Sequence, residues 1–175
     1  MKKSILFPIV TIFLSAAILF GLSLGIKNIA KANAEKERVQ LMQTLLPGSK
    51  TFTEEAYSGE DKTIQSVHKA ENGFVIQTKT AGYAGDITML IGISTDGKVT
   101  GLRILDMSET YGLGWNALTD WGFLSQFLNT SGEAEVGTNV DAVSGATVTS
   151  KAITRSVNAA VAYVTGADVD SSATS

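Results

Sequence analysis

From Ser4 to Ile26 the chain carries no charged side chain, and Ile, Leu, Phe, Val and Ala dominate. At about 1.5 Å of rise per residue, a helix of this length crosses the roughly 30 Å hydrocarbon core of a bilayer. Pro8 falls in its first turns, where a missing backbone donor costs least. The competing reading is a cleaved signal peptide, with Lys2 and Lys3 as a basic start and Ala32-Asn33-Ala34 as a small-residue cleavage site. The apolar run is longer than the usual h-region of about 7–15 residues, and the Ala-x-Ala lies well past its end. A retained transmembrane anchor over residues 1–27 is therefore expected.

Behind it the pattern becomes helical. Ala30, Ala32 and Ala34 favour helix, and Val39, Leu41, Met42, Leu45 and Leu46 form a stripe that Pro47-Gly48 ends. This predicts a helical stalk over 28–47. Alternating segments follow, Thr63–Ala70, Phe74–Thr80, Ile87–Ser94 and Val99–Leu105. Asn72-Gly73 and Asp96-Gly97 separate them as candidate type I′ hairpin turns, with both central residues at positive φ. Ile87, Met89, Ile91 and Ile93 share one face, opposite Thr88, Leu90, Gly92 and Ser94. A Gly-containing loop over 107–115 precedes a predicted helix from Ala117 to Leu128, with Leu118, Trp121, Leu124, Phe127 and Leu128 turned inward. A short extended piece at Glu133–Val140 leads to a last helix from about Thr149 to Val164. Its apolar face is Ala152, Ile153, Val157, Ala160, Val161 and Val164. The expected fold is α+β: a twisted antiparallel sheet flanked by helices, one domain over 48–165, with a small, polar, disordered tail at 166–175.

Charge narrows the partners. Of 14 basic and 17 acidic residues, six basic and two acidic lie in positions 1–38, leaving a balance of −7 for the rest. Such a domain is a poor match for nucleic acid or anionic lipid. Without cysteine it has no disulfide, thiolate-held cluster or thiol chemistry, and one histidine makes a structural zinc site untenable. That histidine, His68, reads as structural or solvent-facing, and no catalytic grouping can be built around it. Trp115 and Trp121 read as core or rim aromatics.

The most informative stretch is Asp141-Ala-Val-Ser-Gly-Ala-Thr-Val-Thr-Ser150, a loop entering a helix start with two small residues among hydroxyls. Unpaired N–H groups and the helix dipole there favour a phosphate. Gly145 and Ala146 permit close backbone approach, and Lys151 offers a charge-assisted contact. A plain Ser/Thr N-cap explains the same hydroxyls, so both readings stand on spacing alone. The stretch is neither a Walker A loop nor a Gly-x-Gly-x-x-Gly turn.

The motif Asp-x-x-Ser-Gly-Ala-Thr-x-Thr resembles the flavinylation motif of the FMN-binding domain family, found in the G subunit of Rnf complexes and the C subunit of sodium-translocating NADH:quinone reductases. Two further elements agree in order: Gly82-Tyr83-Ala84-Gly85-Asp86-Ile87-Thr88, similar to the family's Gly-Tyr-x-Gly segment, and Glu109-Thr110-Tyr111-Gly112-Leu113-Gly114, similar to its His-x-Glu-Thr-Pro-Gly-Leu-Gly loop. Met107 replaces that His and Tyr111 that Pro, so the His role does not carry over. The resemblance implies FMN joined through its phosphate to the hydroxyl of Thr149 by a flavin transferase. Ser144, Gly145, Ala146, Thr147, Val148 and Lys151 would surround the phosphate. Gly82, Tyr83, Glu109, Thr110, Leu113 and Gly114 would lie about the flavin, with Glu109 and Thr110 bonding its polar edge and Gly112 and Gly114 letting the loop close.

By this resemblance the chain is an electron-transfer subunit without a catalytic site of its own, most similar to the G subunit of Rnf complexes. Such a complex links ferredoxin and NAD electron transfer to ion movement, and its other membrane subunits would be the partners. A stand-alone extracytoplasmic FMN carrier, a quinone-reductase C subunit and a non-redox binding module are the alternatives. The resemblance places the domain outside the cell membrane, on a single-pass anchor. The charge bias alone does not, since Lys27, Lys31, Lys36 and Arg38 outnumber Lys2 and Lys3.

Overall fold

The structure, a computed structural model, describes residues 32–131 and 133–166. The span over Ser4–Ile26, the first part of the stalk and the tail beyond Gly166 lie outside the described residues. Among those residues no helix is long and apolar enough to cross a membrane. The chain divides into two compact units, Met1–Gln40 and Leu41–Ser175. Residues 32–45 are helical (α1) and contain every described residue of the first unit.

The second unit is built on a five-stranded antiparallel meander: β1 (Thr53–Glu55), β2 (Ile64–Ala70), β3 (Gly73–Ala81), β4 (Asp86–Ser94) and β5 (Val99–Met107), paired in chain order. The last four match the alternating segments to within two residues at each end, because period-two patterning bounded by turn residues is a local signal. The turns differ from expectation. Neither Asn72 nor Asp96 has positive φ, so these are not type I′ turns. In the β4–β5 turn Gly97 N–H donates to the Ser94 carbonyl (2.9 Å), and Gly97 alone takes the left-handed conformation, φ 80°. That is a type I turn followed by a glycine bulge. Asn72 uses its side chain instead as a clamp, donating to the Pro47 carbonyl (2.7 Å) and bonding Ser49 Oγ.

Both faces of the central strands are covered. Ile87, Met89, Ile91 and Ile93 pack with β2 and β3 residues under three helices: α2 (Gly114–Thr119), α3 (Trp121–Ser125) and α4 (Thr147–Thr165). Met42, Leu45 and Leu46 cover the other face at Val75 and Leu90. There the Leu45 backbone lies so close that a Cβ on Gly92 would collide with its carbonyl oxygen.

The single helix expected over Ala117–Leu128 is two. Asp120 is extended (φ −76°, ψ 106°) and its carboxylate accepts the Phe123 N–H at 3.0 Å, ending α2 and capping α3. The break rotates Trp121 out of the predicted stripe: it is 66% exposed, while Leu118, Leu124 and Phe127 are buried and Leu128 partly so. The piece at Glu133–Val140 forms no strand: 133–135 have no regular structure, and a turn at 137–139 is closed by one Val136–Val140 bridge.

α4 starts two residues earlier than expected and lies against the sheet. Its buried polar groups are matched: Thr80 Oγ1 meets Ser156 Oγ (2.9 Å), and Asn158 bonds both the N–H (2.9 Å) and the carbonyl (2.8 Å) of Ala134. His68, for which the sequence allows a structural or an exposed place, is buried on β2.

Candidate functional site

The Asp141–Ser150 stretch is shaped by its backbone. Gln126 on the α3 side brackets Asp141, accepting its N–H (2.8 Å) and donating to its carbonyl (3.1 Å). The chain then turns through Gly145, whose φ of 77° suits a residue without Cβ. Ala146 N–H closes the turn on the Val143 carbonyl (2.9 Å). Ser150 locks it from within, its Oγ donating to the Ala146 carbonyl (3.0 Å) and accepting Val143 N–H (3.2 Å).

The plain N-cap reading of the hydroxyls does not hold. The N-cap is Ala146, which offers no side-chain acceptor. The first-turn N–H groups of a 19-residue helix are thus left without a capping side chain. Beside them opens a cleft of about 300 Å³, lined by Tyr83, Leu113, Gly114 and the run Gly145–Thr149. Tyr83 (64% exposed), Leu113 (43%) and Val148 (52%) are three of the large apolar side chains left most open to solvent. Their gathering at one cleft is the surface feature expected of a ligand site.

Thr149 is the third residue of α4, not its first. It is one of the residues around the cleft but is itself fully buried. Its Oγ1 donates to Glu109 Oε1 at 3.2 Å. The same carboxylate accepts the N–H groups of Tyr83 (2.7 Å to Oε1) and Ala84 (3.3 Å to Oε2). Glu109 thus joins three sequence elements: the β3–β4 turn, the loop after β5 and the start of α4.

Two glycines make room for it. A Cβ on Gly114 would collide with Glu109 Oε2 and come within 2.6 Å of Thr149 Oγ1, and one on Gly82 would collide with Glu109 Oε1. Their smallness is spent on this carboxylate. Thr110 is exposed, and its carbonyl accepts the N–H groups of Leu113 (3.2 Å) and Trp115 (3.3 Å), tying the loop to α2.

Of the expected site residues, then, Tyr83, Leu113, Gly114, Gly145, Ala146, Thr147, Val148 and Thr149 line the cleft. Gly82 and Glu109 stand directly behind it. Ser144 and Thr110 are exposed outside its lining, and Lys151 is half-buried in the second turn of α4. Tyr111 is 84% exposed, its ring 6.1 Å from that of Trp115. Gln126 had no sequence signal, because its partners are backbone atoms 15 residues away.

Residues 82–162 match the model of the FMN-binding domain family. The chain is 39% identical to the G subunit of the Na+-translocating ferredoxin:NAD+ oxidoreductase complex of Acetobacterium woodii, over 51% of this chain and 47% of that protein. It is 38% identical to the G subunit of the proton-translocating ferredoxin:NAD+ oxidoreductase complex of Clostridium ljungdahlii, over 53% of each. The G subunit of the ion-translocating oxidoreductase complex of Erwinia tasmaniensis is 27% identical over 89% of this chain and 87% of its own length. The chain thus spans about half the length of the two more similar relatives. The matched residues contain the cleft, the Glu109 hub and the start of α4, and over that stretch the chain is similar to the FMN-binding domain family.

Proposed function

We propose that this chain is an electron-transfer subunit that carries FMN as a phosphoester on Thr149, within a membrane-bound ion-translocating oxidoreductase of the kind its relatives are named for. The observation that carries the proposal is an apolar cleft, with Thr149 among the residues that line it, beside a helix start with no side-chain cap. The residues suit FMN in kind. Tyr83, Leu113 and Val148 offer apolar surface to a ring system, and the first turn of α4 offers N–H groups and a dipole to a phosphate. Gly145 and Ala146 leave room for close approach. The cleft is at the small end of the roughly 300–1,000 Å³ usual for ligand sites, so a bound flavin would keep part of its surface open to a redox partner.

FMN, when bound, supplies the redox chemistry. The chain's own residues hold and orient. Tyr83 and Leu113 restrict the ring, the helix start receives the phosphate, and the hydroxyl of Thr149 tethers it. A tether suits a domain outside the cytoplasm, where a lost cofactor is hard to replace. Attachment by a flavin transferase, anchoring through the apolar run at Ser4–Ile26 and coupling of ferredoxin and NAD electron transfer to ion movement belong to the same proposal. The other membrane subunits of the complex are the partners it requires.

The test is the purified full-length chain, co-expressed with a flavin transferase. It should show flavin absorbance that survives denaturation, an added mass equal to FMN minus water, and a modified peptide mapping to Thr149. A colourless protein, or flavin released on unfolding, defeats the covalent assignment.

A further inference from the structure

We infer that the mouth of the cleft is a docking surface for a redox partner protein whose own contact patch is apolar and ringed by lysine or arginine. The inference rests on the flavin-bearing function proposed above and is indifferent to how the flavin is attached. Among the described residues, six large apolar side chains stay open to solvent, and three of them, Tyr83, Leu113 and Val148, line the cleft. A fourth, Tyr111, stands two residues before Leu113 on the loop that walls it. Apolar side chains gathered in the open mark an interaction site, and the centres of protein interfaces are enriched in Tyr and Trp and depleted of charge.

The loop holds Tyr111 outward. The Thr110 carbonyl accepts from Leu113 and Trp115, and Asn116 Nδ2 donates to the carbonyl of Gly112 (3.1 Å), whose φ is 81°. The Tyr111 ring leans on half-buried Trp115, 6.1 Å between centroids. The aromatic is thus presented on a loop that is already ordered, so a partner need not fix it on binding.

Charge selects the partner. Among the described residues no lysine or arginine lines the cleft. The elements that bound it carry exposed acids: Asp86 opens β4 directly after the Tyr83 turn, Asp106 lies three residues before Glu109, and Asp141 opens the run that leads into α4. Lys79 answers Asp86 at 2.8 Å, whereas Asp106 and Asp141 make no ion pair among the described residues. Behind them the chain beyond residue 38 has a balance of −7. An apolar centre with an acidic rim on an acidic body steers in a basic-rimmed protein and repels an anionic lipid surface.

The probe is ferric cytochrome c, a soluble protein whose haem edge is apolar and surrounded by lysines. The full-length flavin-bearing chain, in neutral detergent, is reduced with dithionite, freed of the excess and mixed with the probe by stopped flow. Each reduced flavin delivers two electrons, one to each of two ferric haems, and its protons pass to solvent. The second-order rate should fall at least about tenfold between about 0.01 M and about 1 M salt, over which the Debye length shrinks from about 30 Å to about 3 Å. Tyr111→Ser should slow the reaction about tenfold at low salt, the scale of an interface hot spot. It should leave reduction of ferricyanide, too small an oxidant to need the patch, unchanged. Asp106→Asn and Asp96→Asn alter net charge equally, but Asp96 lies in the β4–β5 turn, beyond the far end of nine-residue β4, about 30 Å from the cleft end of that strand. Asp106→Asn should slow cytochrome c about twofold, the effect of one unit charge at about 10 Å in water, and Asp96→Asn should match wild type. A salt-independent rate, a Tyr111→Ser chain that reacts at the wild-type rate or slows equally with ferricyanide, or an Asp96→Asn as slow as Asp106→Asn overturns the docking inference and leaves the flavin standing. A chain that carries no flavin overturns the proposed function and the docking with it.

Discussion

Thr149 combines two properties seldom found together, a buried side chain and a hydroxyl proposed to react. Thr149→Val keeps the β-branched shape and loses the bond to Glu109, which still accepts from Tyr83 and Ala84. The cost should be about 0.5–1.5 kcal/mol, read by denaturant unfolding, with complete loss of covalent flavin. Thr147→Val, at an exposed cleft position, should keep its flavin, and an adduct persisting on the Thr149 variant would disprove the assignment. Gly114→Ala tests the packing behind the hydroxyl. The new Cβ must push Glu109 from Thr149, so stability should drop by about 1–3 kcal/mol, as for overpacked sites. Unchanged stability would mean the carboxylate has room that the geometry denies it. At this scale the hydroxyl-rich segment was legible, because helix starts have local signatures. The pairing of Glu109 with Thr149 was not, since it joins residues 40 positions apart.

Among the elements, the strands and the last helix follow their patterns and the α2–α3 region does not. Leu118, Trp121, Leu124 and Phe127 have the spacing of one helix, yet Asp120 ends one and caps another. An Asp in mid-helix and an Asp at a cap look alike until something outside the segment fixes which is used. Asp120→Ala should cost about 1 kcal/mol, the usual worth of such a cap, and a melting midpoint equal to wild type would argue against the capping role. α4 carries a clearer liability in Asn158, whose amide serves both backbone groups of buried Ala134. Asn158→Ala orphans a donor and an acceptor at about 1–3 kcal/mol each. Chemical denaturation should show a larger loss than for Asp120→Ala; the reverse order would mean water replaces the amide.

For the whole molecule, the domain is proposed to lie outside the cell membrane on the anchor at Ser4–Ile26. The chain has no cysteine, so Ser172→Cys introduces a lone thiol in the polar tail. An impermeant maleimide should label it on intact cells, or on spheroplasts where an outer membrane intervenes, and labelling only after lysis would reverse the topology. The sequence alone located the last four strands, the turns of their two hairpins and the last helix, and its lack of cysteine excludes thiol chemistry. These rest on composition and on patterns within a few residues, where backbone geometry and side-chain period act directly. Tertiary structure decided that Trp121 faces solvent, that Gly82 and Gly114 clear space for one carboxylate, and that Tyr83, Leu113 and Thr149 meet in one cleft. Those outcomes depend on which faces pack together, and no local preference encodes the distance between groups brought together only by burying a shared core.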